Sequence, residues 1–219
     1  MHKRDCKAAS AQPQPDTRVE TPSADAVPST PGALLDALAR YDHNVEMAES
    51  CCKRLTAMAG EPGGAQALAA MRAIELLAGA ATKHMQQPVV LRWAFAALRN
   101  MCAATDGPGC ERKGRAVQAG ALGVAITGMR SHALDMELQE QGCGLLRNLC
   151  LGVDASGVSA RRQRAGEGGA LEVLLSAAQL TNAEASLRMQ ERCLNSPRTP
   201  SRPLATTFTN VRARLCSRR

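Results

Sequence analysis

The side chains whose types and spacing could do chemistry in this 219-residue chain are its thiols, imidazoles and carboxamides. Cys6, Cys51, Cys52, Cys102, Cys110, Cys143, Cys150, Cys193 and Cys216, with His2, His43, His84 and His132, are numerous enough for zinc or redox chemistry. Zinc knuckles need paired ligands a few residues apart, and the sequence holds no C-x-x-C pair. The cysteines stand inside apolar helical phrases, which favours reduced thiols acting as small hydrophobes over metal or redox chemistry. The histidines fall in the N-terminal segment or at predicted helix ends, with no nucleophile motif beside them. The glycines of EGGA at Glu167 open a helix without a preceding strand, so they are not a phosphate loop. No catalysis, cofactor or metal is expected.

Asn100 and Asn148 are better placed. They occupy the same position in two copies of one phrase, LRNMC from Leu98 and LRNLC from Leu146, 48 residues apart. A carboxamide offers both a donor and an acceptor and can grip a peptide unit in each direction. Arg99 and Arg147 precede them, and Lys53 and Arg54 stand near the corresponding place of an earlier, worn copy, where Leu55 takes the place of Leu98 and Ala57 that of Asn100. Guanidinium groups favour carboxylates and phosphates in forked geometry, so a basic stripe here would select an acidic or phosphorylated ligand. A solvated helix face is the alternative. Arg112, Lys113 and Arg115 recur as Arg161, Arg162 and Arg164, a second cluster expected to be solvated on a ridge rather than to contact lipid or acidic protein.

The elements that would position these residues follow from apolar spacing of three and four. GALLDALARY from Gly32 and NVEMAESCCKRLTAMAG from Asn44 are helical, and EPGG at Glu61 is a turn. A cycle then runs as a short helix over 65–71, a second over 73–83 and a third over 89–104. After a TDGPGC linker at Thr105 with a Gly-Pro-Gly breaker, it restarts as ERKGRAVQA, GALGVAITGMRSH and DMELQEQGCGLLRNLCL. A third cycle follows from Ser159. Self-similarity at such a period is the signature of stacked helical repeats. Aromatic residues are 2% of the chain against 45% hydrophobic. That suits closely packed helices and suits sheets badly.

A short basic helix, an Ala-Gly-Ala-Leu phrase opening a second, and a third ending in Leu-Arg-Asn together resemble the armadillo repeat family over about residues 32–195. The resemblance implies an all-α, right-handed α-solenoid of three to four three-helix repeats (about 32–60, 61–106, 107–156 and a partial 157–195). It also implies that third helices line a concave surface on which Asn100 and Asn148 form a ladder for the backbone of an extended peptide. The alternative is that each Asn bonds to a neighbouring helix. In the peptide-gripping members a Trp stands four residues before the ladder Asn. Here those positions are Ala96 and Gly144, so the slots for lysine stems are missing and a basic nuclear-localisation peptide is not expected. Trp93, seven residues before Asn100, is expected in the core or against the preceding repeat.

The net charge of +7 is localised. Six arginines and no acid fall in 196–219, four bases balance four acids in 1–31, and the body carries the remaining +1. The folded part is therefore not expected to bind nucleic acid. Residues 1–31, rich in Pro, Ser and Asp, are expected to be disordered, and so is the basic tail 196–219. Met189, Gln190 and Glu191 echo Leu138, Gln139 and Glu140 as the start of a last third helix, which then runs into SPRTPSRP. That break suggests an alternative or truncated end. No apolar run reaches a membrane span and no signal peptide is legible, so an intracellular, cytoplasmic or nuclear protein is expected. The expected function is a protein-interaction scaffold that holds a partner segment in its groove at Ala96, Arg99, Asn100, Gly144, Arg147 and Asn148. The alternatives are an architectural or oligomerisation module and an importin-alpha-like transport adaptor.

Overall fold

A computed structural model describes residues 27–194, with the side chains of 27–182; the expected tail 196–219 and the segment 1–26 lie outside them. The chain divides into two units, one ending at Ala178 and one beginning at Gln179. All regular structure among the described residues is α-helical, and no described helix is long and apolar enough to cross a membrane.

The helices are α1 (Pro31–Arg40), α2 (Val45–Gly60), α3 (Gly64–Ala70), α4 (Ala73–Lys83), α5 (Pro88–Met101), α6 (Gly107–Gln118), α7 (Ala121–Ser131), α8 (Met136–Leu149), α9 (Ala155–Glu167) and α10 (Ala170–Leu194). The starts of α2, α6 and α8 are set by side-chain caps: Asn44, Asp106 and Asp135 accept from the backbone N–H three residues on, at 2.9, 2.8 and 3.0 Å. The second helix of each cycle is entered through a left-handed residue, Arg72 (φ 62°), Gly120 (φ 86°) or Gly169 (φ 85°). This is the physical content of the Ala-Gly-Ala-Leu phrase, since glycine adopts that conformation without a Cβ penalty.

In the first unit α2 packs along α5 and α5 along α8, forming one row, while α4 packs on α5 and α7 and α1 lies against α2 and α4. The core beneath is built from small and branched side chains, with Leu55, Ala94, Phe95, Ala97, Leu145 and Leu149 all fully buried. Phe95 is the one large aromatic among them, and its ring lies against Gly128 of α7, where a Cβ would stand 3.0 Å from Phe95 Cζ.

Three expectations need correction. The Gly-Pro-Gly segment is not a linker: Asp106 caps α6 and Pro108 sits in its first turn, where a missing N–H costs nothing. The third helix of that cycle accordingly closes at Met101, three residues early. No separate third helix opens near Met189, because α10 runs from Ala170 to Leu194 without a turn. Earlier cycles turn at His84–Gln87 and His132–Asp135, followed by Pro88 or capped by Asp135; TNAEAS from Thr181 holds no proline, and α10 runs through its cap-type residues Thr181 and Asn182. Residues 27–30, expected to be disordered, are placed: Val27 packs on the core, Pro28 accepts a hydrogen bond from Arg54 Nη1 (3.0 Å), and Thr30 caps α1.

Candidate functional site

Helical spacing puts Arg92, Trp93, Ala96, Arg99 and Asn100 along one side of α5, and Glu137, Glu140, Gln141, Gly144, Arg147 and Asn148 along the corresponding side of α8. The two asparagines do the same thing one helix apart. Asn100 Nδ2 donates to the Thr56 carbonyl of α2 (3.2 Å), and Asn148 Nδ2 donates to the Arg99 carbonyl of α5 (2.9 Å). Each amide thus ties a helix of the row to the helix before it. Thr56 adds a bond in the other direction, its hydroxyl donating to the Trp93 carbonyl (3.0 Å).

Between α5 and α8 lies a cleft of about 360 Å³ lined by Arg92, Trp93, Ala96, Glu137, Glu140 and Gln141. Trp93 is half-buried, and Lys53 of α2 stands over its ring at 5.5 Å from the centroid, a cation–π contact to the preceding helix. Arg92 forms ion pairs with Glu137 and, at 3.5 Å, with Asp135. Gln141 Oε1 is buried with no donor. The space beside Gly144 is taken by the Arg99 side chain: a Cβ there would lie 2.5 Å from Arg99 Cδ, so a larger residue would have to push the arginine aside. The arginine therefore lies across the position where an indole slot would need its Trp.

The basic stripe is broken up by these contacts. Arg54 is drawn to Pro28, Lys53 to Trp93 and Arg99 to Gly144, while Arg147 stays exposed. Glu137, Glu140 and Gln141, absent from the sequence-based site, enter beside Trp93. Their signal was the 48-residue register, which pairs Arg92 with Glu140 and Trp93 with Gln141.

The second basic cluster is not a solvated ridge. Arg112, Lys113 and Arg161 are buried at 8%, 0% and 5% exposure. Arg112 Nε donates to the Met101 carbonyl (2.8 Å) and Arg161 Nε to the Leu149 carbonyl (2.7 Å), so each satisfies an orphan acceptor at the C-terminus of a preceding helix of the row. Arg162 does likewise for Cys150 (3.1 Å), and Lys113 Nζ reaches the Leu151 carbonyl (2.9 Å). Arg161 also forks onto Asp154 with two 2.9 Å bonds, which hold that carboxyl well below its usual range. Arg115 forks onto Glu75 and caps Ala69. Only Arg164 of the six is exposed and without such a bond.

Cys51, Cys52, Cys102 and Cys110 are buried and free, with Cys143 and Cys150 half-buried. Desolvation pushes the Cys51 thiol up to about 11 and Cys102 to about 12, and raises Cys52, Cys143 and Cys150 as well, so all stay protonated near neutrality. Cys6, Cys193 and Cys216 lie outside the described side chains. Comparison with protein-family models, curated proteins and solved structures finds no match.

Proposed function

We propose that the helices form an armadillo-like, right-handed α-solenoid and that the chain is a non-enzymatic, intracellular protein-interaction scaffold. In this reading α2, α5 and α8 are successive third helices, and an extended segment of a partner protein lies across them. The observation that carries it is the α5/α8 cleft lined by Arg92, Trp93, Ala96, Glu137, Glu140 and Gln141; Asn100 and Asn148 lie outside that lining, on the same side of the two helices, with their Nδ2 atoms anchored in the same way. With Nδ2 fixed on a carbonyl, Oδ1 is held at a defined position to accept from a peptide N–H.

The side chains around the cleft favour a segment of mixed character rather than a uniformly acidic one. Trp93, Ala96 and the donor-free Gln141 Oε1 suit an apolar or cationic side chain that can also meet Glu140. The exposed Arg147 suits a carboxylate or phosphate beyond it.

Ala96→Leu combined with Gln141→Ala fills the cleft and removes its acceptor without breaking a hydrogen bond found here. Partners recovered by affinity purification and identified by mass spectrometry should fall at least tenfold against the wild-type chain, with helicity unchanged by circular dichroism. Equal recovery by the folded variant would contradict the groove reading.

A further inference from the structure

The row α2–α5–α8 contains its own rule for how a helix is added to it, and α8 carries a face on which that rule is unfulfilled. The 48-residue register compares the two helices position by position. On α5, Phe95 and Cys102 are both 0% exposed. Their counterparts on α8, Cys143 and Cys150, are only half-buried. The 49-residue register makes the same comparison for the helices behind. Leu122 and Ile126 of α7 are 6% and 2% exposed, whereas Leu171 and Leu175 of α10 are 66% and 63% exposed. These surfaces meet in an apolar hollow of about 290 Å³ lined by Cys143, Leu146, Cys150, Leu171 and Leu174, with Arg147 at its rim. The exposed Leu171 lines this hollow, with Arg162 as a second arginine on its wall, and Leu175 is exposed one turn further along α10; an apolar hollow with an exposed leucine on its wall marks an interaction surface.

We propose that this face is a docking site for an amphipathic helix of a partner protein, one with a basic residue in its first turn, a small residue seven positions later and an asparagine eleven positions later. Each requirement is copied from how α8 sits on α5. Arg92 of α5 pairs with Glu137 of α8, but Arg92's counterpart on α8 is Glu140, so the incoming helix must supply the cation. Arg99 lies across Gly144, so its counterpart Arg147 needs a small residue to lie across. Asn148 donates to the Arg99 carbonyl; the Arg147 carbonyl already accepts from Cys150 N–H at 3.2 Å, and its second lone pair is the place for an incoming asparagine. The same charge argument disfavours a second copy docking through α8, because its Glu137 would meet Glu140. The apolar hollow is lined by other residues than the α5/α8 cleft, but Glu140 also lines that cleft and Arg147 serves both readings, so Leu171→Glu, which lies outside the cleft, is the variant that tests this face alone.

Two fluorescein-labelled 16-residue peptides of the α8 sequence 135–150, with both cysteines replaced by serine, serve as probes. One keeps Glu137 and the other carries Glu137→Lys. Anisotropy titrations against the full chain should show the lysine peptide binding at least tenfold tighter, and a Glu140→Lys chain should reverse that preference. A Leu171→Glu chain should bind neither, with an unchanged melting temperature because Leu171 is already exposed. Equal affinity for the two peptides, no binding by either, or a preference that Glu140→Lys leaves intact would overturn the proposal. So would concentration-dependent self-association abolished by Leu171→Glu, which would give the face to a second copy.

Discussion

Asn148 holds its Nδ2 2.9 Å from a carbonyl oxygen on another helix, and Asn100 repeats the arrangement on the helix before. The repeated phrase located both residues; it could not say where their amides point, because the acceptor sits some 45 residues away in the chain and becomes a neighbour only when the helices pack. Removing the carboxamide leaves a half-buried carbonyl one partner short, so Asn148→Ala should lose about 1 kcal/mol of stability, measured by urea unfolding. His84 is a second residue whose role follows from burial. It is 6% exposed, its Nε2 has no partner, and desolvation, helped by His43 and Lys83, lowers its pKa below 6.5. His84 lines a hollow between α1 and α4 that the Asp42–Lys83 ion pair and Glu75 also border. A lowered folded pKa means that the unfolded chain binds more protons below 6.5, so this contribution is intact above that value and is lost as the pH falls toward the folded pKa. The melting temperature should therefore drop between pH 7.5 and 5.5, and His84→Gln should drop less.

Helices and their order were legible at the scale of elements, because apolar spacing and caps act locally. What was not legible depended on context. Proline stops a helix in its interior but starts one in its first turn, and only the Asp106 cap decides which applies at Pro108. The basic clusters look like solvated faces in sequence, yet Arg112 and Arg161 turn inward because the helix ends before them present unsatisfied carbonyls. The expected turn before Met189 is absent: an echo of three residues does not break a helix, and α10 runs on through Thr181 and Asn182 although both are cap-type residues. The left-handed junctions make a direct test. Arg72 adopts at φ 62° what Gly120 and Gly169 adopt in the later cycles. Arg72→Gly should therefore raise stability by about 1 kcal/mol in chemical denaturation, where a helix-interior glycine would lower it.

At the scale of the molecule, the row α2–α5–α8 follows from the 48-residue recurrence, since identical phrases pack against one another in identical ways. Partner chemistry was less legible. Arg99 and Arg147 occupy equal sequence positions, yet one is laid across Gly144 and the other is exposed, because only Arg99 has a following helix of the row over it. The central claim is that a partner segment occupies the cleft between α5 and α8. Trp93, the chain's single tryptophan, lines that cleft and makes its fluorescence a site-specific reporter. Titrating the binding segment of an affinity-purified partner into the full chain should shift Trp93 emission saturably, with a midpoint equal to the dissociation constant from calorimetry. Binding that saturates by calorimetry while the emission of Trp93 stays unchanged would contradict the account.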